Sequence, residues 1–304
     1  MSNTFSERGG GRAAVPGAAL EALRPYQWLK NLLVFVPLAA AHRLGEAALA
    51  LLALRGFIAF SLCSSAVYLL NDLHDLGSDR LHPYKSRRPI AAGRVPRGLA
   101  VGLVPVLLVA GLTVALPLGA GAIGVLAGYF ALMTAYSLGL KDIVLLDVLV
   151  LATGYATRVL LGALAVQIMP SSWLFAFCIF FFFSLALLKR YAEISVRRVH
   201  EGPHAHARAY LLEDQGLLVA LGVSSGYLSV LVLALYTSTL TAGQLYRYPV
   251  VIWMTCTVLL YWISHLWLVA HRGGMPDDPL RFLLQDRLSW VLIPLMGVTA
   301  WLAL

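Results

Sequence analysis

The sequence predicts an all-α, polytopic membrane protein: a bundle of about nine transmembrane helices with its N-terminus in the cytoplasm. Three observations carry this. Hydrophobic residues make up 60% of the chain and charged residues only 12%. That is about half the charge of a soluble domain, too little polar surface to cover a particle of this size in water. The apolar residues gather into stretches approaching the roughly 20 residues that a membrane span needs. The basic residues, finally, concentrate on alternate loops.

The apolar stretches fall at about 28–43, 47–70, 99–117, 120–138, 143–166, 172–190, 216–238, 249–270 and 288–304. The first is the weakest, because it is short, opens on Lys30 and Asn31 and holds Pro37. With the N-terminus inside, nineteen of the 23 lysines and arginines lie on the cytoplasmic side. Only Arg43, Arg55 and Arg247 lie opposite, and Arg158 falls within a span. This placement also explains the net charge of +8. Juxtamembrane bases spread over several loops answer to topology and anionic lipid, not to nucleic acid. Residues 1–22 are polar and rich in Gly, Ser and Ala, without the apolar core of a signal peptide, and read as a disordered cytoplasmic tail. Residues 23–304 read as one transmembrane domain. Cys63, Cys178 and Cys256 lie inside apolar runs without metal-ligand spacing and read as small buried hydrophobes.

The richest polar segment is Asn71–Ile90, which continues directly from the apolar run Phe57–Leu70. If the helix runs on, Asp72, Asp75 and Asp79 share one face at i, i+3 and i+7. Three facing carboxylates repel one another unless solvated or bridged by a cation. Hard oxygen ligands of this kind suit Mg²⁺ with a phosphorylated substrate. His82, Lys85, Arg87 and Arg88 follow within a few residues and suit phosphate oxygens. Acids for the metal next to bases for the uncovered oxygens are what a magnesium–diphosphate requires. The plain alternative is an ordinary charged loop obeying the inside-positive bias.

Three further features are polar. Between the fourth and fifth spans lie Tyr136, Gly139, Lys141 and Asp147, where Lys141 can contact phosphate or simply snorkel. After the sixth span, Lys189, Arg190, Glu193 and Arg197 continue the helix. There Lys189, Glu193 and Arg197 share a face at i, i+4 spacing, forming either a salt-bridged surface or a second phosphate clamp. Arg158 is costly in hydrocarbon and must face a polar interior, neutralising either a lipid phosphate or an internal acid.

On these residues the chain resembles the UbiA superfamily of intramembrane prenyltransferases, whose Asn-Asp-x-x-Asp-x-x-x-Asp motif binds magnesium–diphosphate. Asn71, Asp72, Asp75 and Asp79 match it position by position. The continuation His82-Pro83, Lys85 and Arg88-Pro89-Ile90 narrows the resemblance, as do Arg24-Pro25, Gln27-Trp28, Lys30-Asn31, Tyr136, Lys141, Asp147 and Lys189-Arg190-Tyr191-Ala192-Glu193. Together they resemble decaprenyl-phosphate phosphoribosyltransferases, with nodulation proteins of the NoeC type among the relatives. The second aspartate-rich motif of quinone-pathway members has no counterpart; Tyr136, Lys141 and Asp147 stand in that region.

The resemblance implies Mg²⁺-dependent transfer of 5-phosphoribose from phosphoribosyl diphosphate to a polyprenyl phosphate at the cytoplasmic face of the inner membrane. The product would feed a lipid-linked arabinose donor. Asn71, Asp72, Asp75 and Asp79 would hold the metal, and Asp72, Asp75, Lys141 and Asp147 would be the catalytic set. Lys30, Asn31, His82, Lys85, Arg87, Arg88, Tyr136, Arg158, Lys189, Arg190 and Glu193 would bind substrate. An oligomer is compatible with the sequence. An aromatic or quinone-precursor prenyltransferase would use the same metal motif. A transporter would distribute polar residues through its spans, whereas here Arg158 is the lone central charge.

Overall fold

The computed structural model describes residues 15–81, 84–201, 206, 207, 209–276 and 279–304. In chain order the helices are α1 (Val15–Ala22), a 3₁₀ segment (Pro25–Phe35), α2 (Val36–Ala40), α3 (Ala47–His74), α4 (Leu76–Leu81) and α5 (Arg97–Ala115). There follow α6 (Ala120–Leu138), α7 (Leu146–Val166) and α8 (Ser172–Glu201). A two-stranded hairpin, β1 (His206–Ala207) with β2 (Tyr210–Leu211), precedes α9 (Gln215–Tyr236) and α10 (Leu240–Leu245). The chain ends with α11 (Ile252–His271), α12 (Pro279–Leu283) and α13 (Arg287–Leu302).

Among the described residues, seven helices are long and apolar enough to cross a membrane, so the chain is a multi-pass membrane protein. These seven correspond to the second through eighth sequence stretches. The first stretch instead forms the 3₁₀ segment and the short α2, and the last forms the 16-residue α13. Val15–Ala22, read from composition as part of a tail, is helical. Its Ala18 and Ala22 are buried beside Ala66, Leu69 and Ile90. Residues 1–14 lie outside the described part.

The chain divides into two compact units, Met1–Leu138 with Arg158–Ile168, and Gly139–Thr157 with Met169–Leu304. In the first, α5 approaches α3 so closely that a Cβ on Gly111 would stand 3.0 Å from the Ala59 carbonyl. Phe60 on α3 meets Tyr129 on α6 at 4.5 Å between ring centres. The 3₁₀ segment also lies along α3, where the serines of an otherwise apolar run receive it. Asn31 Nδ2 donates to Ser61 and Ser64, Trp28 Nε1 donates to Ser65, and Ser65 donates on to the Leu23 carbonyl. In hydrocarbon each of those polar groups needs such a partner.

The 3₁₀ geometry has a reason in packing. A 3.0-residue turn puts Asn31 and Val34 on one face, and that face meets the second half of α7. Arg158 Nε donates to Asn31 Oδ1 at 2.8 Å, and four residues on, Gly162 lets the Val34 backbone close in. Three 3₁₀ residues and four α residues each rise about 6 Å, so the two contacts repeat in step along a parallel seam.

The second unit packs α8, α9, α11 and α13 around an apolar core with Leu187, Leu188, Leu218, Trp262, Ile263 and Trp267 at its centre. Gly222 on α9 leaves the space that the Trp267 ring fills. Ser184 then donates to the Gly222 carbonyl and accepts from Trp267 Nε1.

Candidate active site

In the first unit the polar segment does not continue as one helix. α3 ends at His74, and Asp75 takes a turn conformation (φ −84°, ψ 7°) before α4 begins. Asn71 Nδ2 donates to Asp75 Oδ2 at 3.2 Å, an i, i+4 side-chain pair that ties the last turn of α3 to the break. The helix is interrupted at Asp75, yet the Asp75 and Asp79 amides still donate to the Asn71 and Asp75 carbonyls at 2.9 and 2.8 Å. Among the described residues, no three His, Cys, Asp or Glu side chains gather to hold a metal ion by themselves.

Asp72 and Asp79 instead meet on arginine. Both are 2% exposed. Arg88 Nη1 lies 3.1 Å from Asp72 Oδ1 and 2.6 Å from Asp79 Oδ2, bridging the two. Arg24 Nη2 reaches the same Asp72 Oδ1 at 2.6 Å. Arg24 has a left-handed backbone (φ 53°) and lays its guanidinium over the Tyr68 ring at 5.1 Å. Burial opposes its charge most, but the Asp72 carboxylate together with Tyr26 and Tyr68 more than offsets it and raises its pKa. Asp72 Oδ2 is buried and finds no hydrogen-bond partner among the described residues. Asn71 Oδ1 accepts from Ser137 at 3.0 Å.

Two buried carboxylates converging on one cationic position, one with an unmet oxygen, fit a hard divalent ion that draws its other ligands from water and phosphate. Around this cluster, Lys85 is half-buried and Arg87 exposed, both on a 3₁₀ turn. Arg94 pairs with Glu21 through both guanidinium nitrogens and donates to the Arg87 carbonyl. Lys30 is half-buried and Tyr136 buried. His82 lies outside the described residues.

Arg158 is buried, and several of its contacts are with neutral groups. Besides Asn31 it reaches the Tyr129 hydroxyl at 3.5 Å and lies over the Phe60 and Tyr129 rings at 4.6 and 5.3 Å. An insertion cost of about 3 kcal/mol for a central arginine is of the size that desolvated cation–π contacts at about 2 kcal/mol each can offset. Asn31 and Arg158 thus hold the scaffold together.

The second unit has a cluster of its own. α8 continues through the third polar island, as the sequence predicts, and sets Lys189 3.9 Å from Glu193. Arg190 is fully buried and engaged by Asp147 and Glu193, so a residue read as a phosphate ligand spends its guanidinium inside the protein. Tyr210 on β2 donates to Asp147 Oδ1 at 2.5 Å and accepts from the Leu145 amide at 2.8 Å. Burial first, and the bond to Asp147 next, push the Tyr210 hydroxyl well above the ordinary tyrosine range. Leu145 carries a left-handed backbone (φ 64°). Lys141 is half-buried on the 3₁₀ turn Leu140–Asp142.

Sequence reasoning missed two participants. Arg24 stood in a motif but carried no role, and Tyr210, 63 residues from its partner Asp147, gave no local signal.

The sequence profile of the UbiA prenyltransferase family matches residues 32–285. The chain belongs to that family. Nodulation protein NoeC of Azorhizobium caulinodans is 36% identical over 277 residues, covering 90% of this chain and 89% of that protein. The protein y4nM of Sinorhizobium fredii is 36% identical over 274 residues, and the chain spans only 53% of its length. Decaprenyl-phosphate phosphoribosyltransferase of Mycolicibacterium smegmatis is 40% identical over 181 residues, 58% of this chain and 57% of that one. Among solved structures, a UbiA homolog from Archaeoglobus fulgidus bound to GPP and Mg²⁺ superposes with a TM-score of 0.68 at 15% identity. That match covers 94% of this chain and 99% of that one. Digeranylgeranylglyceryl phosphate synthase gives a TM-score of 0.66 at 15% identity, covering 93% and 99%. At such identities the likeness is one of fold, and it joins this UbiA chain to a known membrane bundle.

Proposed function

We propose that this UbiA-family chain transfers 5-phosphoribose from phosphoribosyl diphosphate to a polyprenyl phosphate. The observation that carries the reading is the buried cluster of Arg24, Asp72, Asp79 and Arg88 with the unmet Asp72 oxygen. It supplies acids for a divalent cation beside guanidinium forks for diphosphate. The donor assignment is supported by relatives named decaprenyl-phosphate phosphoribosyltransferase at 36–40% identity over some three-fifths of the chain.

Asp72, Asp75 and Asp79, with Asn71, would hold Mg²⁺, which when bound supplies charge stabilisation to the departing diphosphate. Lys85, Arg87 and Arg88 take uncovered phosphate oxygens. The ribose C1–oxygen bond breaks and the bonding pair leaves with diphosphate. A polyprenyl phosphate oxygen forms the new bond at C1. That oxygen is already anionic, so no strong base is needed. Lys141, Lys189 and Tyr136 are assigned to phosphate binding on their sequence motifs, and His82 likewise. Asp147, Arg190 and Glu193 hold one another and maintain the second unit's fold. The product feeds a lipid-linked arabinose donor, the role that the motif resemblance implies.

The orientation proposed is N-terminus inside, with the cluster at the cytoplasmic face and nine membrane segments. The 3₁₀ segment and α2 together extend about 30 Å, the thickness of the hydrocarbon core, because 3₁₀ residues rise more steeply than α residues.

The test is direct. Purified full-length protein receives labelled phosphoribosyl diphosphate with polyprenyl phosphate and Mg²⁺, and separately a labelled prenyl diphosphate with an aromatic acid. Label is expected in the lipid fraction of the first mixture alone. Transfer in the second alone would replace this reading with aromatic prenyl transfer.

A further inference from the structure

The diphosphate reading leaves one question open: how a site whose acids are already held by arginine admits a dication. Asp72 Oδ1 and Asp79 Oδ2 both touch a single atom, Arg88 Nη1, at 3.1 and 2.6 Å. A cation coordinating those two oxygens has to occupy the ground that this nitrogen holds. Arg24 is differently placed. Among the described residues the acid it pairs with is Asp72 alone, its side chain is 15% exposed against 25% for Arg88, and it is further held by the Tyr68 ring and by its left-handed backbone. Arg88 follows a three-residue 3₁₀ turn and reaches the cluster from its more exposed side.

Charge points the same way. Two carboxylates and two guanidiniums balance. A dication added to that balance leaves two buried positive charges in excess, which costs several kcal/mol per unpaired ion in a low-dielectric site. Diphosphate removes the excess, because its oxygens accept a guanidinium fork as readily as a carboxylate does.

We propose that Arg88 is an exchangeable occupant of the cation seat: it leaves Asp72 and Asp79 for a diphosphate oxygen as the divalent cation takes its place, while Arg24 stays and positions Asp72. Metal and diphosphate then bind as a coupled pair, and Arg88 is the coupling element. This rests on the diphosphate reading above.

The test measures Mn²⁺ binding to the detergent-solubilised full chain, by the electron paramagnetic resonance of free Mn²⁺. Mn²⁺-dependent retention of radiolabelled inorganic diphosphate is measured alongside. R88Q is expected to bind Mn²⁺ alone about tenfold more tightly than wild type, a usual size for a coupling of this kind, while its diphosphate retention weakens. R24Q is expected to bind Mn²⁺ more weakly than wild type. If R88Q is not recovered folded, R88M serves, because a thioether fills much of the space but carries neither the charge nor the donors that hold both carboxylates; tighter Mn²⁺ binding is again expected. Unchanged or weaker Mn²⁺ binding by the folded Arg88 variant overturns the exchange. So does an equal gain in R24Q, which would mean that any lost guanidinium opens the seat. If wild type and variants all fail to bind Mn²⁺ even with diphosphate, the metal–diphosphate reading itself falls.

Discussion

Among the described residues Asp72 receives two guanidiniums on one oxygen and nothing on the other, all while almost fully buried. D72N keeps the shape but removes the charge that faces Arg24 and Arg88. Transfer is expected to fall by at least about 10²-fold, the loss seen when a preorganised charge-stabilising group is removed. The assay is label transfer to lipid, with elution volume on size exclusion confirming the fold; parental activity in a folded D72N protein would refute the site. Tyr210 makes a different prediction. Y210F removes the donor to Asp147 and the acceptor of the Leu145 amide, leaving two groups unmet at about 1–3 kcal/mol each. Its melting temperature should drop at neutral pH. Because the folded protein holds the Tyr210 proton more tightly than the unfolded chain does, this contribution is complete below the ordinary tyrosine value of about 10 and declines as pH rises above it. The melting difference between wild type and Y210F should therefore shrink between pH 9 and 11. A constant gap would refute the bond.

At the scale of elements, the seam between the 3₁₀ segment and α7 depends on a missing side chain. A Cβ on Gly162 would stand 2.0 Å from the Val34 carbonyl oxygen, whereas one on Gly124 would meet nothing within 4 Å. Backbone cannot step aside as a flexible side chain can. G162A is expected to lose about 1–3 kcal/mol or more through overpacking, and G124A to remain within about 0.5 kcal/mol of wild type. Thermal unfolding of the two in the same detergent decides it, and similar melting temperatures would remove the seam from the account. The same seam explains why the first apolar stretch does not read as an ordinary span. Its register is set by Asn31 and Val34 meeting Arg158 and Gly162, not by its own propensity.

For the whole molecule the prediction is orientation. Cys63, Cys178 and Cys256 are all buried, so the background for a membrane-impermeant thiol reagent is low. In intact cells G45C is expected to label from outside, and R97C only after the inner membrane is opened. The reverse pattern would put the Asp72 cluster on the far side of the membrane and end the cytoplasmic assignment.

Composition and charge order alone determined that this chain lives in lipid and where most of its spans lie, and they singled out Asn71–Ile90 as the candidate site. Those properties are written in runs of neighbouring residues, and solvent exclusion acts on each run by itself. The family motif in Asn71, Asp72, Asp75 and Asp79 was legible for the same reason. Folding decided which charges face which. Arg24 and Arg88 came to Asp72 from 48 and 16 residues away, and Asp147 found Arg190 and Tyr210. A buried charge takes the nearest partner that the packed backbone delivers, and nearness in space is not a property of the linear chain.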